Sequence, residues 1–208
     1  MFKKLSATEI YYKGEKGLKF DFKKGFDALT KVDKDGRWIY FAGKDWKNFD
    51  YNKGFDALTK VDKDGRWIYF AGKDWKTFDY NKGLGALIEK DEVCKYIYWA
   101  GKYWKDFDYE KGLDALIEKD KKGKWVYDAG LEWKEFDFKK GFKALLKKDR
   151  EGEWIYSAGL YWKTFKFKKG LKRLLKTKSD YLQRALKHWK MSGIKLSNEE
   201  VVEFMNLI

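Results

Sequence analysis

The sequence predicts an all-α protein, a right-handed superhelical solenoid of antiparallel two-helix repeats with a 29-residue period. Three observations predict this fold class. Residues 25–47 reappear letter for letter as residues 54–76, and self-similarity at about 20–50 residues is typical of solenoids and propellers. Apolar and small residues in each copy recur at the spacing of one helix face. The later copies are also rich in strong helix formers.

The first helix of a repeat is predicted at about residues 51–62. Apolar and small side chains begin at Tyr51 and follow an i, i+3, i+4, i+7 pattern. Asp50 precedes them and is a candidate N-cap, because its carboxylate can accept the unpaired amides of the first turn.

The second helix is predicted at about residues 67–76, after a turn at 63–66. Gly65 is expected to supply the positive φ angle that such a turn requires. The spacing of one helix face recurs in this half of the repeat, at Ile39, Ala42, Gly43 and Trp46 in the first full copy.

A β-structure is the competing interpretation of this second half. The stretch RWIYFAG is rich in strand-favouring residues, and KVDKDGRW could form a hairpin. The later copies KGLDALIEKD and KGFKALLKKD show a helical period and no alternation, so they favour helices.

Two glycine positions recur inside the predicted helices, represented by Gly43 and Gly54. Glycine within a helix costs about 0.5–1 kcal/mol relative to alanine. Because the cost recurs in nearly every copy, we expect close helix–helix approach beside a Trp or Tyr ring at these positions.

The repeats predict a single elongated domain over residues 1–208. Residues 1–21 are expected to form a degenerate N-terminal half-repeat cap, and residues 22–191 six two-helix repeats. Residues 192–208 depart from the repeat and predict a C-terminal capping helix, because Ser197 and Glu200 fit a capping box.

The composition argues against an enzyme and against a membrane span. The chain has one cysteine, Cys94, and one histidine, His188, so a zinc cluster, a disulfide framework and a catalytic triad are not expected. No apolar run approaches the about 18 residues that span a bilayer. We therefore expect a cytoplasmic protein without a cofactor.

The acidic residues of the repeat do not form a recognised metal site. Asp33, Asp35 and Gly36 resemble part of a calcium loop, but Lys31 and Ala42 occupy positions that require ligands. A recurrent aspartate at the end of each first helix is expected to form the turn or cap the next helix, at Asp62, Asp91, Asp120 and Asp149.

Positive charge is concentrated near the end of the repeat region. Residues 138–191 hold 17 basic and 4 acidic side chains, out of 47 and 33 in the whole chain. On the first helices of the last two repeats, the lysines share the face opposite the apolar residues and form a candidate site for an anionic partner: Lys139, Lys140, Lys143, Lys147, Lys168, Lys169, Lys172 and Lys176. A solvated outer face is the alternative.

Aromatic residues on the second helices form a second candidate site. They lie about opposite the core face or one turn later and have no obvious burial within their own repeat: Phe41, Phe70, Trp99, Tyr103 and Tyr161. Such rings could stack on nucleobases or receive the apolar side chains of a peptide. The alternative is that an adjoining helix buries them.

The repeated pattern W-[IV]-Y-x-A-G-x-x-W followed by F-[DK]-[FY]-x-K-G-[FL] resembles the α-helical solenoid class of tetratricopeptide, HEAT and Sel1-like arrays. The period is shorter than the about 34 residues of a tetratricopeptide, and no specific family is assigned. The resemblance implies partner binding without chemistry. We expect a protein or peptide partner, with an acidic one favoured. Sequence-tolerant nucleic-acid binding is the alternative, and the oligomeric state is open.

Overall fold

A computed structural model describes residues 2, 4–17, 19–177 and 180–189. This part of the chain is all-α and contains thirteen helices and no strand, so the predicted helical class is confirmed over the β alternative. The helices are α1 Ala7–Lys16, α2 Phe22–Val32, α3 Arg37–Asp45, α4 Tyr51–Val61, α5 Arg66–Asp74, α6 Tyr80–Lys90, α7 Lys95–Tyr103, α8 Tyr109–Lys119, α9 Lys124–Glu132, α10 Phe138–Lys148, α11 Glu153–Tyr161, α12 Phe167–Thr177 and α13 Tyr181–His188. The predicted helix in residues 192–208 lies outside the described residues.

The chain divides into two compact units, Met1–Asp108 (unit 1) and Tyr109–Ile208 (unit 2). Unit 1 contains α1 to α7, and unit 2 contains α8 to α13. The predicted helices at about 51–62 and 67–76 are observed as α4 and α5, which end within two residues of the predicted bounds.

Aspartate side chains start the longer helices in both units. In unit 1, Asp50 accepts a hydrogen bond from the backbone N–H of Lys53 at 3.1 Å, which confirms it as the N-cap of α4. In unit 2, Asp137 accepts from the N–H of Lys140 at 2.9 Å at the start of α10. Each cap satisfies a first-turn amide that has no partner inside the helix.

A buried aspartate caps the shorter helices from outside their first turn. The N-cap of α5 is Gly65, which has no side chain and lies in the left-handed region with φ 82°. Asp62 replaces the missing cap: Oδ1 accepts the N–H of Gly65 at 3.2 Å, and Oδ2 accepts the N–H of Ile68 at 2.9 Å. Asp149 makes the same pair of bonds in unit 2, to the N–H groups of Gly152 and Ile155. The predicted turn-forming role of these acids is confirmed.

Helices pack on their sequence neighbours to form the core of unit 1. The shorter helices form one row, in which α1 packs on α3, α3 on α5 and α5 on α7, while α2, α4 and α6 pack beside them. Ile39, Ile68 and Leu58 are completely buried. Burying such a side chain stabilises the fold by about 1.5–3 kcal/mol.

Unit 2 has a core of the same kind. Here α9 packs on α11 and α11 on α13, and the longer helices α8, α10 and α12 pack beside them. Leu116, Leu145 and Leu174 are completely buried at equivalent positions of the three longer helices.

In both units, a tryptophan at the end of a shorter helix bonds to the preceding helix of its row. In unit 1 the indole Nε1–H of Trp75 donates to the carbonyl oxygen of Tyr40 at 2.9 Å, and Trp104 donates to Tyr69 at 3.0 Å. In unit 2, Trp162 donates to the carbonyl of Tyr127 at 3.1 Å. These bonds satisfy the one polar atom of a buried ring.

Glycine makes the close approach of these rings possible. An added Cβ on Gly43 would overlap the ring of Trp75, and one on Gly54 would overlap the ring of Phe49. The predicted approach of a helix to a Trp ring is therefore confirmed at Gly43; at Gly54 the nearest ring is that of Phe49, and the Trp75 ring would lie 3.3 Å from the added carbon.

Candidate functional site

The predicted lysines lie on two longer helices of unit 2 and are named here the lysine surface: Lys139, Lys140, Lys143 and Lys147 of α10, with Lys168, Lys169, Lys172 and Lys176 of α12. Seven of them are exposed, and Lys140 is half-buried. The opposite face of α10 buries Gly141, Phe142, Ala144 and Leu145. The core packing of each helix therefore directs its lysines to solvent.

Two inward cations hold the longer helices of unit 2 together. Lys148 Nζ of α10 donates to the carbonyl oxygen of Asp120 at 2.6 Å, just beyond the end of α8. Arg173 Nη2 of α12 donates to the carbonyl oxygen of Asp149 at 3.1 Å, just beyond the end of α10. These bonds, together with the ring contact of Phe142 and Phe165 at 4.9 Å, bring α12 beside α10.

An acidic counterpart to the lysine surface occupies α8. Lys140 Nζ lies 2.6 Å from Asp114 Oδ1 of that helix. The hydrogen bond that Lys140 donates to Asp114 is the main reason that the pKa of Lys140 is raised, and Glu110 and Asp137 contribute through their charges. Sequence reasoning did not single out Asp114, although it stands 29 residues before Lys143 and could have been found by aligning the similar segments of the sequence.

The aromatic residues of the second candidate site lie on the shorter helices. Phe41, Phe70 and Trp99 are half-buried and belong to unit 1, as does Tyr103, which is 51% exposed. Tyr161 belongs to unit 2 and is 66% exposed. The members therefore divide between the two units and differ in exposure.

The half-buried rings pack against the neighbouring helices of their row. The Phe70 ring lies 5.8 Å from that of Tyr40 on the preceding helix, and the Trp99 ring lies 5.7 Å from that of Tyr69. Phe41 contacts Trp67 of the following helix at 6.2 Å. The neighbouring helices therefore cover part of each of these rings. The rings join successive helices of unit 1.

Basic side chains lie over tryptophan rings of the shorter helices. The Arg66 guanidinium lies 4.8 Å from the ring centre of Trp67, and Lys95 Nζ lies 4.6 Å from that of Trp99. In unit 2, Lys124 makes the equivalent contact with Trp125 at 4.2 Å and also pairs with Asp128 at 2.6 Å. A cation above an aromatic face is attracted by the ring quadrupole.

Tyrosine hydroxyls along the same row meet carboxylates in unit 1. Tyr11 donates to Asp45 Oδ2 at 2.7 Å, and Tyr40 donates to Asp74 Oδ2. Burial is the largest cause of the raised pKa of both hydroxyls, and the carboxylates add to it. Burial also raises the pKa of Tyr69 to about 12. These phenols stay protonated at neutral pH, and Tyr11 and Tyr40 act as donors.

Burial also raises the pKa of the turn aspartates Asp62 and Asp149, while their backbone N–H donors act in the opposite direction. Their oxygens face backbone amides of the next helix. This arrangement serves a turn and presents no carboxylate pair to a substrate.

The single histidine is joined to a tyrosine. His188 Nδ1 lies 2.9 Å from the hydroxyl oxygen of Tyr156. In the described part of the chain, no group of three or more His, Cys, Asp or Glu side chains is placed to hold a metal ion. Over the same ranges, no helix is both long and apolar enough to cross a bilayer.

Grooves occur between longer helices at equivalent places in the two units. The groove between α2 and α4 has a volume of about 600 Å³ and is lined by residues that include Phe22, Phe26 and Phe49. The groove between α8 and α10 has a volume of about 430 Å³ and is bordered by Tyr109 and Lys140. Both are open and mix aromatic with charged side chains.

The fold and these surfaces define an all-helical protein whose neighbouring helices pack in sequence order, which is compatible with a helical repeat. No family model, curated protein or solved structure matches the chain.

Proposed function

We propose that this protein is a non-catalytic helical-repeat scaffold that binds an acidic protein or peptide through the lysine surface of α10 and α12. The right-handed superhelical solenoid with a 29-residue period belongs to the same proposal. The observation that carries the binding function is the exposure of Lys139, Lys143 and Lys147 along one side of α10. Equivalent lysines recur on α12.

The charge of the lysine surface supports an anionic partner. No ion pair involves Lys139, Lys143 or Lys147 within the described ranges, so carboxylates brought by a partner would meet cations that are solvated in the free protein. An exposed pair contributes only about 0–1 kcal/mol, so binding depends on several pairs formed together. Such binding weakens as salt is added.

Sequence-tolerant nucleic-acid binding is the second candidate function, because lysine rows also attract phosphates. Glu110, Asp114 and Glu118 are exposed beside the lysines of α10 and would repel either anionic partner, peptide or nucleic acid, continued in that direction. The surface offers lysine point charges rather than the forked donors of arginine, so any nucleic-acid binding would be sequence-tolerant.

The test compares two fluorescent probes of equal charge, an oligoglutamate peptide and a single-stranded DNA oligonucleotide, by anisotropy over a salt titration. We expect the peptide to bind at low ionic strength and the triple variant Lys139→Glu, Lys143→Glu, Lys147→Glu to bind it at least about tenfold more weakly. Lys60→Glu is the matched control, because Lys60 occupies the position of Lys147 on α4 and is exposed. We expect this control to retain most of the binding.

Two outcomes contradict the proposal. If the peptide does not bind at low ionic strength, the lysine surface is a solvated outer face. If the oligonucleotide binds more tightly than the peptide at equal charge, nucleic acid is the better assignment.

A further inference from the structure

Three longer helices of unit 2 carry charged rows at the same positions. On α8 the row is acidic and consists of Glu110, Asp114 and Glu118, named here the acidic row. One 29-residue period later α10 carries Lys139, Lys143 and Lys147, and a further period later α12 carries Lys168, Lys172 and Lys176. All nine side chains are exposed.

Within this unit, a helix with acids at four-residue steps already lies beside a helix with lysines at the same steps. Helices α8 and α10 pack on one another, and Lys140 Nζ reaches Asp114 Oδ1 at 2.6 Å. Asp114 belongs to the acidic row, and Lys140 follows the first lysine of the row on α10. One ion pair therefore joins these two helices, and the row lysines Lys139, Lys143 and Lys147 stay available to a further acidic partner.

The spacing of the lysines favours a helical partner. Four residues of an α-helix rise about 6 Å, so each lysine row places its charges about 6 Å apart. A second helix with carboxylates at four-residue steps has the same spacing and stays in register. An extended chain places alternate side chains about 6.6 Å apart, so its carboxylates move out of register as the contact lengthens.

We propose that the partner segment is an α-helix with Asp or Glu at four-residue steps, and that it lies along the lysine rows of α10 and α12. This inference rests on the proposed function and gives it a partner of defined shape. Each carboxylate then meets a lysine, and the backbone polar groups of the segment are satisfied within its own helix.

The experiment uses two peptides of identical composition, rich in alanine and glutamine. One carries glutamates at every fourth position, and the other carries them at every second position. We expect the first peptide to bind the full chain at least about tenfold more tightly at low ionic strength, because several weak pairs form at once. Circular dichroism of the mixture should show the first peptide gaining helix on binding.

Two protein variants connect the effect to the lysine rows. Lys143→Gln with Lys147→Gln should reduce the advantage of the first peptide, by about two- to fivefold for each lysine removed. Lys53→Gln with Lys60→Gln removes the same charge from α4 in unit 1 and should leave that advantage unchanged.

The outcomes separate the inference from the function on which it rests. Equal binding of the two peptides, or tighter binding of the alternating one, overturns the helical partner and leaves the acid-binding function in place. Failure of both peptides to bind at low ionic strength overturns the proposed function itself.

Discussion

The indole N–H of Trp75 donates a hydrogen bond of 2.9 Å to the backbone carbonyl of Tyr40, 35 residues earlier in the chain. The ring that makes this bond lies directly over Gly43, where a methyl group would overlap it. One tryptophan therefore joins α5 to α3 through a polar bond and through packing on bare backbone.

Gly72→Ala should destabilise the protein, because the new methyl group would overlap the ring of Trp104. We expect the free energy of unfolding to fall by about 1–3 kcal/mol, the usual cost of overpacking. Urea denaturation measures the change. Gly85→Ala is the control, since no atom lies within 4 Å of the added carbon. This control should stabilise α6 by about 0.5–1 kcal/mol, and equal effects of the two substitutions would contradict the packing role.

Trp75→Phe should remove the hydrogen bond to Tyr40 and leave part of the ring site empty. Together these losses should cost about 2–4 kcal/mol of unfolding free energy. Trp67→Phe is the control on the same helix, because Trp67 is only half-buried. Thermal unfolding of the two variants should give a clearly lower midpoint for Trp75→Phe, and a reversed order would be inconsistent with the role assigned to the bond.

Asp62→Ala should leave the backbone N–H groups of Gly65 and Ile68 without the acceptor that now caps α5. Buried donors without a partner cost about 1–3 kcal/mol each, so we expect a loss of at least about 2 kcal/mol. Asp56→Ala on the exposed side of α4 should change the stability by less than about 0.5 kcal/mol. Guanidinium denaturation compares the two, and similar losses would show that the cap contributes little.

Alkaline conditions should weaken the fold through Tyr69. Burial raises the pKa of Tyr69 from 10.0 to about 12, so the unfolded chain loses this proton first. The corresponding stability is complete below pH 10 and is lost as the pH rises towards about 12. Tyr69→Phe should therefore lose less stability over this interval than the original chain in urea titrations. An unchanged slope would count against the raised pKa.

The positions of the helices follow from local signals in the sequence. Apolar spacing, the N-cap Asp50 and the turn glycine Gly65 each act within a few residues, so α4 and α5 were predicted to within two residues. The close approach at Gly43 was also predicted, because an unfavourable glycine recurs there. Local propensity and repetition therefore determine this level of the structure.

Contacts between repeats were harder to predict. The bond from Trp75 to Tyr40 depends on how far one helix is displaced along the next, and no local pattern encodes that displacement. The ring of Tyr40 could not be identified as the partner of Phe70 for the same reason. The acid Asp114 beside Lys140 required a comparison of the charges on successive copies, and not only of their apolar residues.

The tryptophan bonds give the fold a direction along the chain. In each bonded pair the donor belongs to the later helix and the acceptor to the earlier one, as in Trp104 with Tyr69 and Trp162 with Tyr127. During synthesis the acceptor helix therefore leaves the ribosome first, and each new helix meets a partner that is already complete. Loss of an early helix would leave an indole N–H of the next helix without its acceptor. Loss of a late helix would leave only a backbone carbonyl without its indole donor. Such a chain is expected to tolerate shortening from its later end better than from its beginning.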